Sequence, residues 1–219
     1  MIGSVLWKWL SRIRPVRITQ AEGRYGPLEV RWERGQKVLN SQHANQSFGS
    51  LHGVLQGAFA HMDLRGAPPN SVLLLGLGAG SAIHILRNEL DIQCPITVVE
   101  IDPAMVELAR SEFGLDSYPE IEVLIGDAII QVQAMHKRYD LVVVDLFADL
   151  DLAQGVDTAG FAHGLRERCA DGGVVCFNTV SYDRASEVRC SRIKDRIGRV
   201  FSSVEEFRTE ELNRVFIAR

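Results

Sequence analysis

Four carboxylates stand at or just beyond the ends of short apolar runs. Glu100 and Asp102 follow Ile96 to Val99, Asp127 follows Ile121 to Ile125, and Asp145 follows Leu141 to Val144. Another run, Val72 to Leu75, opens instead onto three alternate glycines, Gly76, Gly78 and Gly80. Alternate glycines let a backbone turn tightly and bring its N–H groups against a ligand with no Cβ in the way. A carboxylate such as Glu100, 24 residues after Gly76 at the end of the next strand, can accept hydrogen bonds from both hydroxyls of a ribose. Asp127 is placed to accept from an adenine amino group, with the Ala128 N–H facing a ring nitrogen. A Gly-Asp pair before an apolar helix is also an ordinary helix cap, and both roles can hold at once.

The elements that must position these groups follow from the spacing of apolar residues. Strands are expected at 72–76, 96–100, 121–125, 140–145 and 173–179, as unalternating runs buried on both faces. Helices are expected between them at about 80–90, 103–112, 127–136 and 158–170, and a last one at about 184–200. Residues 204–208 and 214–218 read as a closing antiparallel pair. Each connection is long enough for a right-handed crossover, which gives an α/β fold, a doubly wound, Rossmann-like, mostly parallel sheet. Ligands of such sheets sit beyond the carboxyl ends of the strands, where Gly76-x-Gly78-x-Gly80, Glu100-Ile101-Asp102, Asp127-Ala128 and Asp145 all fall.

The amino-terminal part reads differently. Residues 3–14 place Leu6, Trp7, Trp9, Leu10 and Ile13 among Lys8, Arg12 and Arg14, a short amphipathic helix stopped by Pro15. It could dock on the domain, on a partner subunit or on a membrane surface, in that order of expectation. Leu28 to Trp32 and Lys37 to Leu39, turned by Arg34-Gly35, read as a hairpin. Gln42 to Ser47 is loop-like, and Phe48, Leu51, Val54, Leu55, Phe59 and Met62 mark one face of a helix. With the Gly66 to Asn70 linker, this divides the chain into 1–66 and 67–219.

Composition narrows the function classes. The net charge of −4 is uneven: residues 1–40 carry eight basic and three acidic side chains, so +5, and the remainder therefore −9. No basic stripe suited to nucleic acid runs over the main domain. No run approaches the roughly 18 apolar residues of a membrane span. Cys94, Cys169, Cys176 and Cys190 show no metal-ligand spacing and no CxxC, so free thiols in a reducing cytosol are expected, with no bound metal. Lys8, Arg12 and Arg14 interrupt or follow the apolar residues instead of preceding them, unlike a secretory leader, and a cytoplasmic location is expected. Acids at successive strand ends would repel a polyphosphate and suit a neutral or cationic nucleoside. A dinucleotide fingerprint also expects Gly or Ala where Ser81 stands.

Residues 71–145 resemble the AdoMet-binding core of class I methyltransferases, and more closely the spermidine synthase (polyamine aminopropyltransferase) family. Leu74, two residues before Gly76, is apolar as in spermidine synthases, where general methyltransferases usually carry an acid. Val-Val-Glu-Ile-Asp-Pro (98–103), Ile-Gly-Asp-Ala (125–128) and Tyr-Asp-Leu-Val-Val-Val-Asp (139–145) are similar to that family's next strand ends. The resemblance implies that Glu100, with Ile101 and Asp102 beside it, holds the ribose. It implies that Asp127 and Ala128 hold the adenine, and that Gly76, Gly78 and Gly80 line the amino-acid or aminopropyl end. Gln46 is implied as a further contact to the co-substrate, AdoMet or its decarboxylated form. Asp145 matches an aspartate that assists deprotonation of an attacking amine, a step displacement at a sulfonium-activated carbon needs because a protonated amine has no lone pair.

The departures bear on the acceptor. The family's paired Asp-Glu and Tyr-His-Glu cluster has no counterpart in Gln46 to Gly53, and Ala148 stands where a second aspartate is expected, with Asp149 one residue later. Asp149, Asp151 and Asp157 still crowd this loop and could attract a polyamine, although a wet surface loop reads equally well. His52 reads as a packed histidine. The resemblance implies aminopropyl transfer to a small amine. Methyl transfer to a small acceptor, or nucleoside binding without catalysis, are the alternatives. Apolar surface on the hairpin and first helix gives the expectation of a homodimer.

Overall fold

The computed structural model describes residue 7 and residues 9–41, 50–149, 151–208 and 212–219. Three strands come first: β1 (Val16–Gly23), β2 (Gly26–Glu33) and β3 (Gln36–Asn40), an antiparallel sheet in that order. The expected hairpin is therefore the β2–β3 half of a larger unit. β1 escapes a periodicity reading because the register slips between Arg17 and Thr19, which breaks the alternation, and because none of its residues is buried. Helix α1 (Ser50–His61) follows.

The remainder alternates. β4 (Val72–Leu75), β5 (Ile96–Glu100), β6 (Ile121–Ile125), β7 (Tyr139–Val144) and β10 (Cys169–Val180) are parallel, and β11 (Val204–Arg208) and β12 (Asn213–Ala218) close the sheet through antiparallel pairing. Between β7 and β10 lies a short hairpin, β8 (Phe147–Ala148) with β9 (Asp151–Leu152). The seven strands run β11-β12-β10-β7-β4-β5-β6, so β4 has β5 on one side and β7 on the other. That reversal of direction opens a crevice above the carboxyl ends of β4, β5 and β7. The helices are α2 (Ser81–His84), widening into a π turn at Ile85–Glu89, then α3 (Pro103–Phe113), α4 (Ala128–Ala134), α5 (Ala159–Arg168) and α6 (Arg184–Gly198).

The apolar runs explain the layers. Successive side chains of a strand point to opposite faces, and a sheet covered on both faces needs apolar residues at every position. Val72 and Leu74 join Val98, Val143 and Ile217 on one face, against Val54, Leu55 and Phe59 of α1 and Val106 of α3. Leu73 and Leu75 join Val142, Val144 and Phe177 on the other, against Val132, Phe161 and Ile193 of α4, α5 and α6. Each such side chain contributes roughly 1.5–3 kcal/mol by leaving water. Packing thus places α1 against one face of the main sheet. A third cluster, Leu28, Val30 and Leu39 against Met105 and Leu108, seats the amino-terminal sheet on α3.

The first segment meets the domain through a polar residue. Only residues 7 and 9–14 of it are described, and Trp7, Trp9, Leu10 and Ile13 all face outward. Ser11 is the buried one: its carbonyl accepts from Arg34 N–H at 2.9 Å and its hydroxyl from Gly35 N–H at 3.0 Å. The turn is held by a serine, leaving its apolar face uncovered by the described domain.

Candidate active site

The glycine turn is dictated by its neighbour. Gly76 has φ +91°, and a Cβ there would lie 2.1 Å from the Asp145 carbonyl oxygen, inside any allowed contact. The ends of β4 and β7 approach that closely because Asp145 N–H donates to Leu75 O at 2.8 Å, continuing the parallel ladder. Gly78 and Gly80 also hold positive φ, and Gly80 starts α2 in a left-handed conformation.

Glu100, 8% exposed, ends β5 with both carboxylate oxygens engaged by the backbone: Leu77 N–H donates to one at 2.8 Å and Asp102 N–H to the other at 2.9 Å. Each oxygen keeps a second lone pair for an outside donor. Burial pushes its pKa above the usual carboxylate range, opposed by those two N–H bonds. Asp102 spends both oxygens inside the protein, capping α3 through Ala104 N–H at 2.9 Å and accepting from Arg24 N–H at 2.7 Å. Asp127 caps α4 through Ile129 N–H at 2.8 Å, and its other oxygen accepts no hydrogen bond among the described residues. The cap and an open acceptor coexist there.

Asp145 is partly buried on the cleft floor, and what orients it was not legible beforehand. Asn178 of β10, fully buried, donates from Nδ2 to Asp145 Oδ1 at 2.9 Å. Asn213 of β12 in turn donates to Asn178 Oδ1 at 3.0 Å, which fixes which way that amide faces. Burial raises the Asp145 pKa from 3.8 to about 6, the Asn178 bond opposing and the nearby Glu100 adding to the rise. A hydrogen bond to the charged form favours ionisation. Replacing Asn178 by Leu is therefore expected to move the Asp145 titration upward by about one pH unit, read as the carboxyl-carbon NMR shift against pH. An unmoved midpoint would show that Asn178 does not act on the carboxylate.

These groups line one cleft of about 870 Å³, within the usual range for small-molecule sites. Gly76, Gly78, Glu100, Ile101, Asp102, Asp127, Ala128 and Asp145 all reach it; Gly80 does not, and Gln46 lies outside the described residues. Met105, Ile129, Ile130 and Leu146 supply apolar wall. Asp149 and Asp151 add to a rim in which, among the described residues, six carboxylates face two guanidiniums, Arg24 and Arg189, a field that concentrates cations.

The acidic loop after Asp145 is pinned from both sides. Ser41 donates to Asp149 at 2.6 Å, Tyr182 to Asp151, and Arg189 to the carbonyls of Leu152 and Ala153 at 2.8 and 2.7 Å. It is a built hairpin as well as an exposed one. His52, by contrast, lies away from the cleft, its Nε2 2.7 Å from Glu89 of the π turn.

The family model described as the spermine/spermidine synthase domain matches residues 54–209. The chain belongs to that family. Curated relatives within it include the probable polyamine aminopropyl transferase of Bifidobacterium longum, 29% identical over 61% of this chain and 29% of the relative. Polyamine aminopropyltransferase 2 of Hyperthermus butylicus is 28% identical over 64% and 47%. The chain thus spans less than half the length of these family members. A probable spermidine synthase from Corynebacterium glutamicum shares the fold with a TM-score of 0.76 at 19% identity, over 91% of this chain and 79% of that one. Human methyltransferase-like protein 13, solved in complex with SAH, shares it with a TM-score of 0.65 at 21% identity over 78% and 82%. The sheet order and the family match agree with an α/β, methyltransferase-like fold.

Proposed function

We propose that this chain transfers an aminopropyl group from decarboxylated AdoMet to a small amine, with a polyamine precursor the acceptor class that suits the acidic rim. The observation that carries the reading is Asp145: a carboxylate whose pKa burial raises to about 6, aimed by Asn178, in the cleft that also holds Glu100 and Asp127. Family membership and the names of the relatives support it.

The residues present fit the co-substrate. Glu100 retains lone pairs for ribose hydroxyls and Asp127 an oxygen for an adenine amino group, and Gly76 and Gly78 line the same cleft. When bound, the donor supplies a sulfonium-activated carbon. The protein's part is to orient the two partners, keep the nucleoside in an apolar-walled cleft and receive a proton at the Asp145 carboxylate. With that group titrating at about 6, the base form fills above pH 6 and activity falls as pH drops through that value.

A second reading is favoured by one observation. Ala148 stands at the cleft where the family pattern puts an acid, and a methyltransferase relative, the eEF1A lysine and N-terminal methyltransferase homolog of Drosophila pseudoobscura pseudoobscura, is 30% identical over 64% of this chain and 22% of its own length. Calorimetry with AdoMet, decarboxylated AdoMet and methylthioadenosine, followed by turnover with putrescine, separates the readings. Preference for the decarboxylated donor with spermidine formed supports aminopropyl transfer. Tight AdoMet binding without a polyamine product supports methyl transfer, and binding without turnover on any acceptor supports a non-catalytic nucleoside-binding protein. The uncovered Trp7, Trp9 and Ile13 also carry the expectation of a homodimer; sedimentation equilibrium at micromolar concentration returning 24.4 kDa would remove it.

A further inference from the structure

Asp102 does more than a helix cap requires. A cap needs one acceptor oxygen, which serine or threonine supplies as well as aspartate. Here Oδ1 makes the cap with Ala104, and Oδ2 reaches across to the amino-terminal sheet, accepting from Arg24 N–H at 2.7 Å in the turn between β1 and β2. The turn is pressed against that oxygen: a Cβ on Gly23 would stand 2.7 Å from Oδ2 and 2.8 Å from Leu28. Asp102's own N–H donates to Glu100 at 2.9 Å, so one short chain of hydrogen bonds joins Glu100 to the turn. Arg24, Tyr25 and Gly26 of that turn line the same cleft as Glu100 and Asp127. Tyr25 is 47% exposed, so the residue is open to solvent at the cleft.

We infer that Asp102 is a positioning residue that aims the β1–β2 turn over the nucleoside end of the cleft, and that Tyr25 on this turn is a wall of the donor site. The inference rests on the nucleoside-binding reading above and makes the amino-terminal sheet part of the site. The sheet is held on α3 independently, by Leu28, Val30 and Leu39 against Met105 and Leu108, and at its other end by Lys37 Nζ, 3.0 Å from the Glu112 carboxylate. Loss of the Asp102 bond therefore alters the aim of the turn and leaves the sheet attached.

Two variants break the contact from opposite sides: Asp102→Ser keeps a cap and loses the second acceptor, and Gly23→Ala keeps Asp102 and pushes the turn away. Methylthioadenosine affinity by calorimetry is expected to fall roughly tenfold in both, with the Arg24 amide exchanging faster by hydrogen–deuterium exchange and the melting temperature of Asp102→Ser near that of the parent. Tyr25→Ala is expected to match that loss and Tyr25→Phe to restore it. In turnover assays the donor KM rises and the acceptor KM stays. Parent-like affinity in both contact variants overturns this inference and leaves the nucleoside site standing. Failure of the parent protein to bind methylthioadenosine overturns the nucleoside site and the role of Tyr25 together.

Discussion

Asp145→Asn is expected to lower turnover by roughly 10²- to 10⁴-fold, the range over which a positioned general base contributes, while methylthioadenosine binding should stay within a few-fold of the parent. The substitution is nearly isosteric, and Asn178 Nδ2 can still donate to the oxygen that replaces Asp145 Oδ1. The same variant is expected to be more stable than the parent, with a defined pH dependence. In the folded protein the carboxyl titrates at about 6 against 3.8 in its ordinary state, so the unfolded chain ionises first as pH rises. The parent therefore loses stability between those two values, and the loss is complete above about pH 6. The full shift corresponds to about 3 kcal/mol at neutral pH; water in the cleft screens part of it, leaving ~1–2 kcal/mol of gain for the amide. Below pH 4 the two proteins should melt together. Turnover with putrescine, and urea melts at pH 4 and 7.5, check both halves. Retained turnover removes Asp145 from the chemistry, and equal stability at pH 7.5 removes the burial argument.

Glu100→Ala acts on binding and on the fold at once. Two backbone N–H groups, of Leu77 and Asp102, donate to this carboxylate in a nearly solvent-free position. Truncation orphans both, at roughly 1–3 kcal/mol each unless water enters. A loss of about 2–4 kcal/mol is expected. It falls on the loops that carry the glycine turn and the start of α3, so nucleoside affinity should drop by at least about 100-fold, more than removal of a ribose contact alone. Denaturant melts and calorimetry with methylthioadenosine read the two effects. A variant that melts like the parent would mean that the backbone amides find water, and one that binds like the parent would remove Glu100 from the site.

Much of the candidate site was legible in the chain because each strand end is a local event. An apolar run stops where the sheet stops, and the residue that follows must be a turn, a cap or a ligand. Glu100, Asp127 and Asp145 stand out on that ground alone, and the unalternating runs before them require a sheet covered on both faces. The glycines read as a turn for the same local reason.

What stayed hidden is whatever depends on two distant stretches meeting. Asn178 and Asn213 look like ordinary polar strand residues until β10 and β12 pair beside β7 and line them up behind Asp145. Asp102 reads as one more acid of the nucleoside site, and only the docking of the amino-terminal sheet on α3 turns its second oxygen toward Arg24. β1 is silent because an edge strand with a register slip has no period to detect. The pKa of Asp145 is a matter of burial, which no spacing along the chain reports. Sequence by itself determined the sheet, its carboxyl edge and the acids along it, since hydrophobic periodicity and turn chemistry act over a few residues. Tertiary structure alone decided which of those acids face the cleft unspent, since Asp145 meets Asn178 33 positions on and Asp102 meets Arg24 78 positions back.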